Sequence, residues 1–121
     1  MKQIMLALML VVLVRCAASG DAGAVEAVET YLQASVDGDA DTLAQVMCAD
    51  MEAQVEPTAR RFATVAGVRL EGMACTFDGD AGTVTCEGEI IATYGAEDTA
   101  FPLGTYSVVQ EGGEWKWCGE A

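Results

Sequence analysis

The sequence VRLEGMACTFDGDAGTVTCEGEIIATY, residues 68–94, carries the strongest structural signal in this chain. From Val68 to Phe77, apolar side chains recur at a period of about two, the spacing of a strand with one buried face. The segment 78–82, DGDAG, is typical of a tight turn. Apolar side chains of the returning strand fall on one face, namely Val84, Cys86, Ile90, Ala92 and Tyr94. The stretch therefore predicts an antiparallel β-hairpin, with a bend or bulge at Gly88.

This hairpin brings two cysteines together. If the turn is centred on residues 80–81, opposed positions sum to 161, so Cys75 lies opposite Cys86 at a distance that suits a disulfide bond. We expect Cys75–Cys86, which leaves Cys48–Cys118 to join the second helix to the last strand, although four cysteines allow three connectivities. The alternatives are a four-cysteine zinc site and a redox pair, and the sequence lacks the usual C-x-x-C spacing of both.

Two more strands follow the hairpin. After a turn over residues 95–98, a third strand runs over about 99–110, and Pro102 marks an edge position or an irregular start. A last short strand spans residues 114–118.

The last strand carries two tryptophans whose orientation has consequences. Trp115 and Trp117 share one face, whereas Lys116 and Cys118 share the other. If the tryptophans face inward, they line the core or a ligand pocket, and Cys118 reaches Cys48 around the sheet edge. If they face outward, they mark a partner or dimer surface. Aromatic residues at strand spacing are more often core, so we favour the inward orientation.

Helices precede the strands. One face of a first helix is formed by Val25, Val28, Leu32 and Val36, and Gly38 is a plausible stop. A second helix begins at Asp39 or Asp41 and ends near Cys48; its inward residues are Leu43, Val46 and Met47. Helices followed by antiparallel strands predict an α+β fold.

A third short helix is predicted around Pro57, which fits a first helical turn. We expect it to carry Phe62 and Val65 and to close at Gly67.

The first residues are typical of an export signal. Residues 4–14 are eleven unbroken apolar residues preceded by Lys2, and a membrane-spanning helix needs about 20. We expect a signal and short tether over residues 1–19 and a single domain over 20–121. The four later cysteines then meet an oxidising compartment.

Two processing routes remain open. LVRC, residues 13–16, resembles a bacterial lipobox, in which Cys16 becomes a lipid anchor. Arg15 departs from the small residue preferred at that position. The other route is ordinary cleavage near residues 17–19. The expected location is therefore the cell envelope, through the lipid, or the secreted fraction.

Charge and composition limit the partners. The residues after Cys16 carry 19 acidic and four basic side chains, a net charge of −15. This field repels nucleic-acid phosphates and anionic lipids, so we expect no nucleic acid and no membrane contact except through Cys16. The chain has no histidine, which removes His-based catalysis and most catalytic zinc sites. We expect no cofactor and no metal.

The spacing of three aspartates suggests a calcium-binding loop. Asp37, Asp39 and Asp41 are spaced like the start of a calcium loop, but Thr42 and Cys48 stand where that loop needs glycine and glutamate. A turn and a helix N-cap is the better interpretation.

Three segments together resemble the nuclear transport factor 2-like superfamily, with its cystatin-like cone. They are VETYLQASVDGDADTL (28–43), TVTCEGEIIATY (83–94) and LGTYSVVQEGGEWKWCG (103–119), and the resemblance covers roughly residues 22–119. It implies helices packed on a curved antiparallel sheet of four or more strands, which wraps the first helix and leaves a pocket between them. The superfamily contains isomerases, dehydratases, cyclases and non-catalytic binding domains, so the fold does not select a function.

The leading functional interpretation is a non-catalytic binding or interaction domain, for a small hydrophobic ligand or an envelope protein. The candidate pocket residues are Tyr31, Tyr94, Tyr106, Trp115 and Trp117. The alternative is a small isomerase or dehydratase that uses a tyrosine with Asp98. A homodimer through the sheet is also open. A carboxylate within hydrogen-bond reach of a tyrosine hydroxyl would favour the enzyme, whereas a pocket filled by Tyr, Trp and Met side chains would favour a structural or interaction role.

Overall fold

The computed structural model describes residues 21–121, an α+β structure whose helices precede the sheet in the chain. The helices are α1 (Asp21–Asp37), α2 (Ala40–Val46) and α3 (Val55–Ala59), with a 3-10 helix over Ala49–Gln54. The strands are β1 (Ala66–Asp78), β2 (Thr83–Tyr94), β3 (Glu97–Pro102), β4 (Thr105–Glu111) and β5 (Glu114–Glu120). The export segment and the candidate lipid anchor Cys16 lie outside the described residues. Within residues 21–121, no helix has both the length and the apolar character needed to cross a membrane.

The sheet is antiparallel and open. β1 pairs with one edge of β2, and the other edge of β2 pairs with β3 along residues 89–94 and with β4 along residues 83–85. β5 follows β4, which gives the order β1-β2-β4-β5. The predicted hairpin register is confirmed near its tip, where Cys75 lies opposite Cys86.

The predicted third strand over residues 99–110 is wrong in one respect, because the chain forms two strands there. β3 ends at Pro102 and β4 begins at Thr105. Between them, the Leu103 amide donates to the Gly88 carbonyl at 3.0 Å. Pro102 has no N–H to continue the ladder, and the partner strand bends at Gly88, so regular pairing stops at this point.

A β-bulge accounts for the bend predicted at Gly88. The pairing of β1 with β2 changes register between Glu71 and Ala74. Gly88 has a φ of 106°, and a Cβ atom there would lie 2.6 Å from the Glu71 carbonyl oxygen and 2.7 Å from the Gly72 carbonyl carbon. Only glycine fits between these backbones, and the bulge bends the sheet.

α1 packs on one face of the sheet, called the inner face below. Its buried residues are Ala24, Ala27, Val28, Tyr31, Leu32, Ala34 and Ser35. The predicted helical face is confirmed at Val28 and Leu32, whereas Val25 and Val36 lie at its half-buried margin. The sheet contributes Val84, Cys86, Tyr106, Val108 and Trp117 to the same core.

The junction of α1 and α2 is built from two local hydrogen-bonding motifs. Gly38 adopts a φ of 69°, and the Asp39 amide donates to the Ala34 carbonyl at 2.9 Å, which closes α1 in a Schellman motif. The Asp39 carboxylate accepts from the Thr42 amide at 3.1 Å and from the Thr42 hydroxyl at 2.6 Å. Asp39 is therefore the N-cap of α2, as the sequence favours over a calcium loop.

α3 is shorter than predicted. It ends at Ala59, so Phe62 and Val65 lie beyond it in successive turns, where the Val65 amide donates to the Phe62 carbonyl at 3.0 Å. Pro57 lies in the first turn, as expected. A five-residue helix has little cooperativity of its own. Phe62 is buried, and its ring lies 6.5 Å from that of Phe101. This packing, rather than a longer helix, directs the chain after α3.

Two disulfide bonds have the pairing that the sequence favours. Cys75–Cys86 joins β1 to β2, and Cys48–Cys118 joins the segment after α2 to β5. The Cys48 amide also donates to the Trp117 carbonyl at 2.8 Å. The segment therefore lies along the outer edge of β5, and Cys118 reaches Cys48 at that edge.

Candidate functional site

Three of the five predicted pocket residues form an aromatic cluster in the core. Tyr31 of α1 stacks on Trp117 of β5, with ring centroids 3.7 Å apart and planes 9° apart. The Tyr106 ring lies 6.4 Å from Tyr31 in a tilted arrangement. None of the three is more than 7% exposed. These side chains fill the space between α1 and the sheet in which the family resemblance implies a pocket.

The surroundings of the two core tyrosine hydroxyls favour their protonated form. Burial raises the pKa of both hydroxyls above the ordinary value of 10.0. A hydrogen bond with Ser35 partly offsets this rise at Tyr31, and a hydrogen bond from the Gly104 amide does so at Tyr106. That amide donates to the Tyr106 Oη at 3.2 Å. Across residues 21–121, no carboxylate accepts a hydrogen bond from either hydroxyl.

Both tryptophans face inward, which is the orientation that the sequence favours. Trp117 is buried, and Trp115 packs edge-on against Phe77 with ring centroids 5.2 Å apart. In the described part of the chain, both indole Nε1 atoms are shielded from solvent and have no hydrogen-bond partner. An unsatisfied donor costs about 1–3 kcal/mol, so aromatic packing has to outweigh this penalty at each residue.

Tyr94 and Asp98 do not join the cluster. Tyr94 ends β2 and is 48% exposed. Asp98 lies in β3, not in the predicted turn, and opposes Thr93, so it lies on the other face of the sheet from Tyr94. The Thr93 hydroxyl donates to Asp98 at 2.8 Å and the Arg69 guanidinium lies 3.4 Å away; these contacts lower the pKa of Asp98. Its basicity is therefore reduced, and the arrangement expected of an isomerase is not assembled.

An open groove lies beside the aromatic core, between α1, α2 and the start of β5. We call it the α1–α2–β5 groove. Its volume is about 410 Å³, within the usual range of ligand sites. Its main polar lining residues are Glu26, Thr30, Thr42, Gln45, Glu114 and Lys116, and Trp115 forms part of its wall. A smaller cavity of about 260 Å³ lies next to it, and Lys116 also lines this cavity.

Lys116 lines both cavities, and its ammonium group already has two partners. Its ammonium group donates to the Gln45 carbonyl in the last turn of α2 and lies 3.2 Å from the Glu114 carboxylate. A carbonyl in that turn has no partner within the helix, so Lys116 satisfies it. Glu114 balances the charge of Lys116, whereas Glu26 is exposed and forms no ion pair within residues 21–121.

Sequence reasoning found Trp115 but missed the polar side of the groove. Glu26 and Thr42 lie on different helices, and no spacing rule connects them with Glu114. The one available signal is Lys116, which follows Arg69 as the next basic residue and stands between two tryptophans.

The described residues contain no group of three or more His, Cys, Asp or Glu side chains placed to hold a metal ion. Comparison with known proteins finds no match to this chain among protein-family models, curated proteins or solved structures.

Proposed function

We propose that this chain is an exported, non-catalytic binding or interaction domain that takes its ligand or partner in the α1–α2–β5 groove. The observation that carries the proposal is the stack of Tyr31 on Trp117, which fills the space between α1 and the sheet where the resemblance implies a pocket. The groove beside the stack remains open and combines carboxylate, hydroxyl, amide and indole groups. Such a mixture positions a ligand through polar and aromatic contacts.

The proposed compartment is the cell envelope or the secreted fraction. Two disulfide bonds indicate an oxidising, extracytoplasmic environment. The apolar run over residues 4–14 supports export, and Cys16 is the proposed lipid anchor. Cleavage near residues 17–19 would instead give a free, secreted domain.

Membership of the nuclear transport factor 2-like superfamily is part of the same proposal. Its support is the order of elements: a long helix, a turn at Gly38-Asp39, a short helix and a bent antiparallel sheet packed on the first helix.

Photo-crosslinking tests the groove. Benzoylphenylalanine at Thr30 would stand in the groove, and the same residue at Gln33 would stand on an exposed part of α1 outside the groove lining. In cells that make the protein, we expect irradiation to give a small-molecule or protein adduct from the Thr30 variant, identified by mass spectrometry. Equal adducts from both variants, or none from Thr30, would contradict the proposal.

A further inference from the structure

We propose that the α1–α2–β5 groove binds an extended, basic peptide segment of a partner protein, which pairs its backbone with the outer edge of β5. This inference rests on the proposed function and names the class of partner for the same groove. Two separate features support it: the direction of the β5 backbone groups and the charge of the groove.

The first feature is an unpaired stretch of strand edge. The Trp117 carbonyl points away from β4, because it accepts from the Cys48 amide on the outer edge. Trp115 precedes Trp117 by two residues in regular pairing with β4, so its backbone N–H and C=O point to the same edge. Within residues 21–121, no backbone hydrogen bond fills that position.

The position of this edge makes it available to a ligand. Residues 113–116 line the groove, which lies between them and α2. Met47 and Cys48 already pair with Trp117 at this edge, and the groove adjoins the next edge position, at Trp115. Strand addition at a free edge obtains affinity from main-chain hydrogen bonds, and it uses alternate side chains for specificity.

The second feature is charge. Glu114 balances Lys116, and Glu26 remains exposed on the facing wall without an ion pair in the described part. The residues after Cys16 carry a net charge of −15, a field that attracts cations and repels acidic segments. The half-buried Trp115 indole adds an aromatic surface for a lysine or arginine side chain. A basic peptide meets both requirements: its backbone can pair with the free edge of β5, and its lysine or arginine side chains can pair with Glu26.

The test is an NMR titration of the processed, disulfide-bonded protein, labelled with ¹⁵N. The probe is the capped peptide Thr-Lys-Val-Lys-Thr-Lys-Val-Lys. We expect saturable shifts at residues 113–116 and slower hydrogen exchange of the Trp115 amide, because that amide gains an acceptor. A glutamate-for-lysine version of the peptide should not bind.

Two further comparisons separate the features. Glu26→Lys should weaken binding about tenfold, whereas Glu87→Lys, with the same charge change on an exposed residue of β2, should weaken it less than about twofold. Methylating the backbone nitrogens of alternate peptide residues in two registers should abolish binding in one register only, since alternate residues face β5.

The outcomes are distinct. Failure of the basic peptide to bind, equal loss in both charge variants, or an unchanged Trp115 amide would overturn the inference. If the peptide fails while Thr30 still gives a specific crosslinked adduct, the groove keeps its proposed function and only the peptide class is wrong. If both experiments fail, the assignment of the groove as the binding site is wrong.

Discussion

Gly88 shows how one residue controls the shape of this sheet. Its φ of 106° and the 2.6 Å approach that a Cβ would make to the Glu71 oxygen permit no other residue. Period-two patterning located the hairpin, and Gly88 within it indicated a bend. The sequence could not show that Gly72 on the facing strand shares the bulge, because that contact joins residues 16 positions apart.

We expect Gly88→Ala to lower the free energy of unfolding by about 3 kcal/mol or more, because left-handed strain and a backbone clash add. Gly95→Ala is the matched control. Its φ is 63°, but its Cβ would meet nothing within 4 Å, so its effect should stay near 1–2 kcal/mol. Urea denaturation measures both. Equal losses of unfolding free energy would mean that β1 and β2 do not approach closely at Gly88.

Asp39 should make the stability of the helix junction depend on pH. Its hydrogen bonds with Thr42 lower the pKa of the carboxyl group from 3.8. Because the folded-state pKa is below the unfolded value, the stabilisation is complete above about pH 4 and is lost as the pH falls through the folded pKa.

Asp39→Ala should therefore reduce the urea midpoint at pH 7, and Asp39→Asn should reduce it less, since its amide oxygen can still cap α2. The difference between the native protein and the alanine variant should shrink towards pH 3. A stability difference that grows on acidification would contradict the role of the Asp39 carboxylate as N-cap of α2.

At the scale of elements, the two disulfide bonds have different roles. Cys48–Cys118 closes 70 residues and holds the end of α2 on β5, whereas Cys75–Cys86 closes 11 residues within one hairpin. Loop-closure entropy predicts losses of about 4 and 3 kcal/mol when the bonds are removed.

We expect Cys48→Ala/Cys118→Ala to destabilise more than Cys75→Ala/Cys86→Ala in thermal unfolding. The first pair should also release the segment beside Trp117, which hydrogen exchange of the Cys48 position would report. If removing Cys75–Cys86 destabilises the protein more, interactions in the folded state outweigh the loop-closure entropy of the unfolded chain.

Predictability also differed among elements. The hairpin, α1 and the start of α2 were predictable because local patterns and a cap define them. The division into β3 and β4 was not, because it arises from Pro102 meeting the bend in β2. The candidate site was predicted only in part. Tyr31 and Trp117 were among the candidate pocket residues, but both are buried in the core, and the open groove depends on how α1, α2 and β5 come together.

For the whole molecule, charge opposes folding. A net charge of −15 after Cys16 is confined to about a hundred residues, and the few ion pairs seen, at Arg69 and Lys116, are at the surface or partly exposed. Self-repulsion should therefore lower stability at low ionic strength.

Raising NaCl from 10 mM to 0.5 M should raise the thermal unfolding midpoint, by roughly 4–8 °C for each kcal/mol gained. Choline chloride should act similarly, since screening does not depend on the cation. A midpoint that falls with both salts would show that favourable ion pairs dominate.

The central claim is that ligands enter the α1–α2–β5 groove and not the interior beside Tyr31 and Tyr106. An NMR screen of the ¹⁵N-labelled protein against small apolar and cationic fragments tests it most directly. We predict that shifts from the fragments that bind cluster on Glu26, Thr30, Thr42, Gln45 and residues 113–116, with the core tyrosines unmoved. Shifts centred on Tyr31 and Tyr106 would show that the interior opens to ligands and would contradict the account.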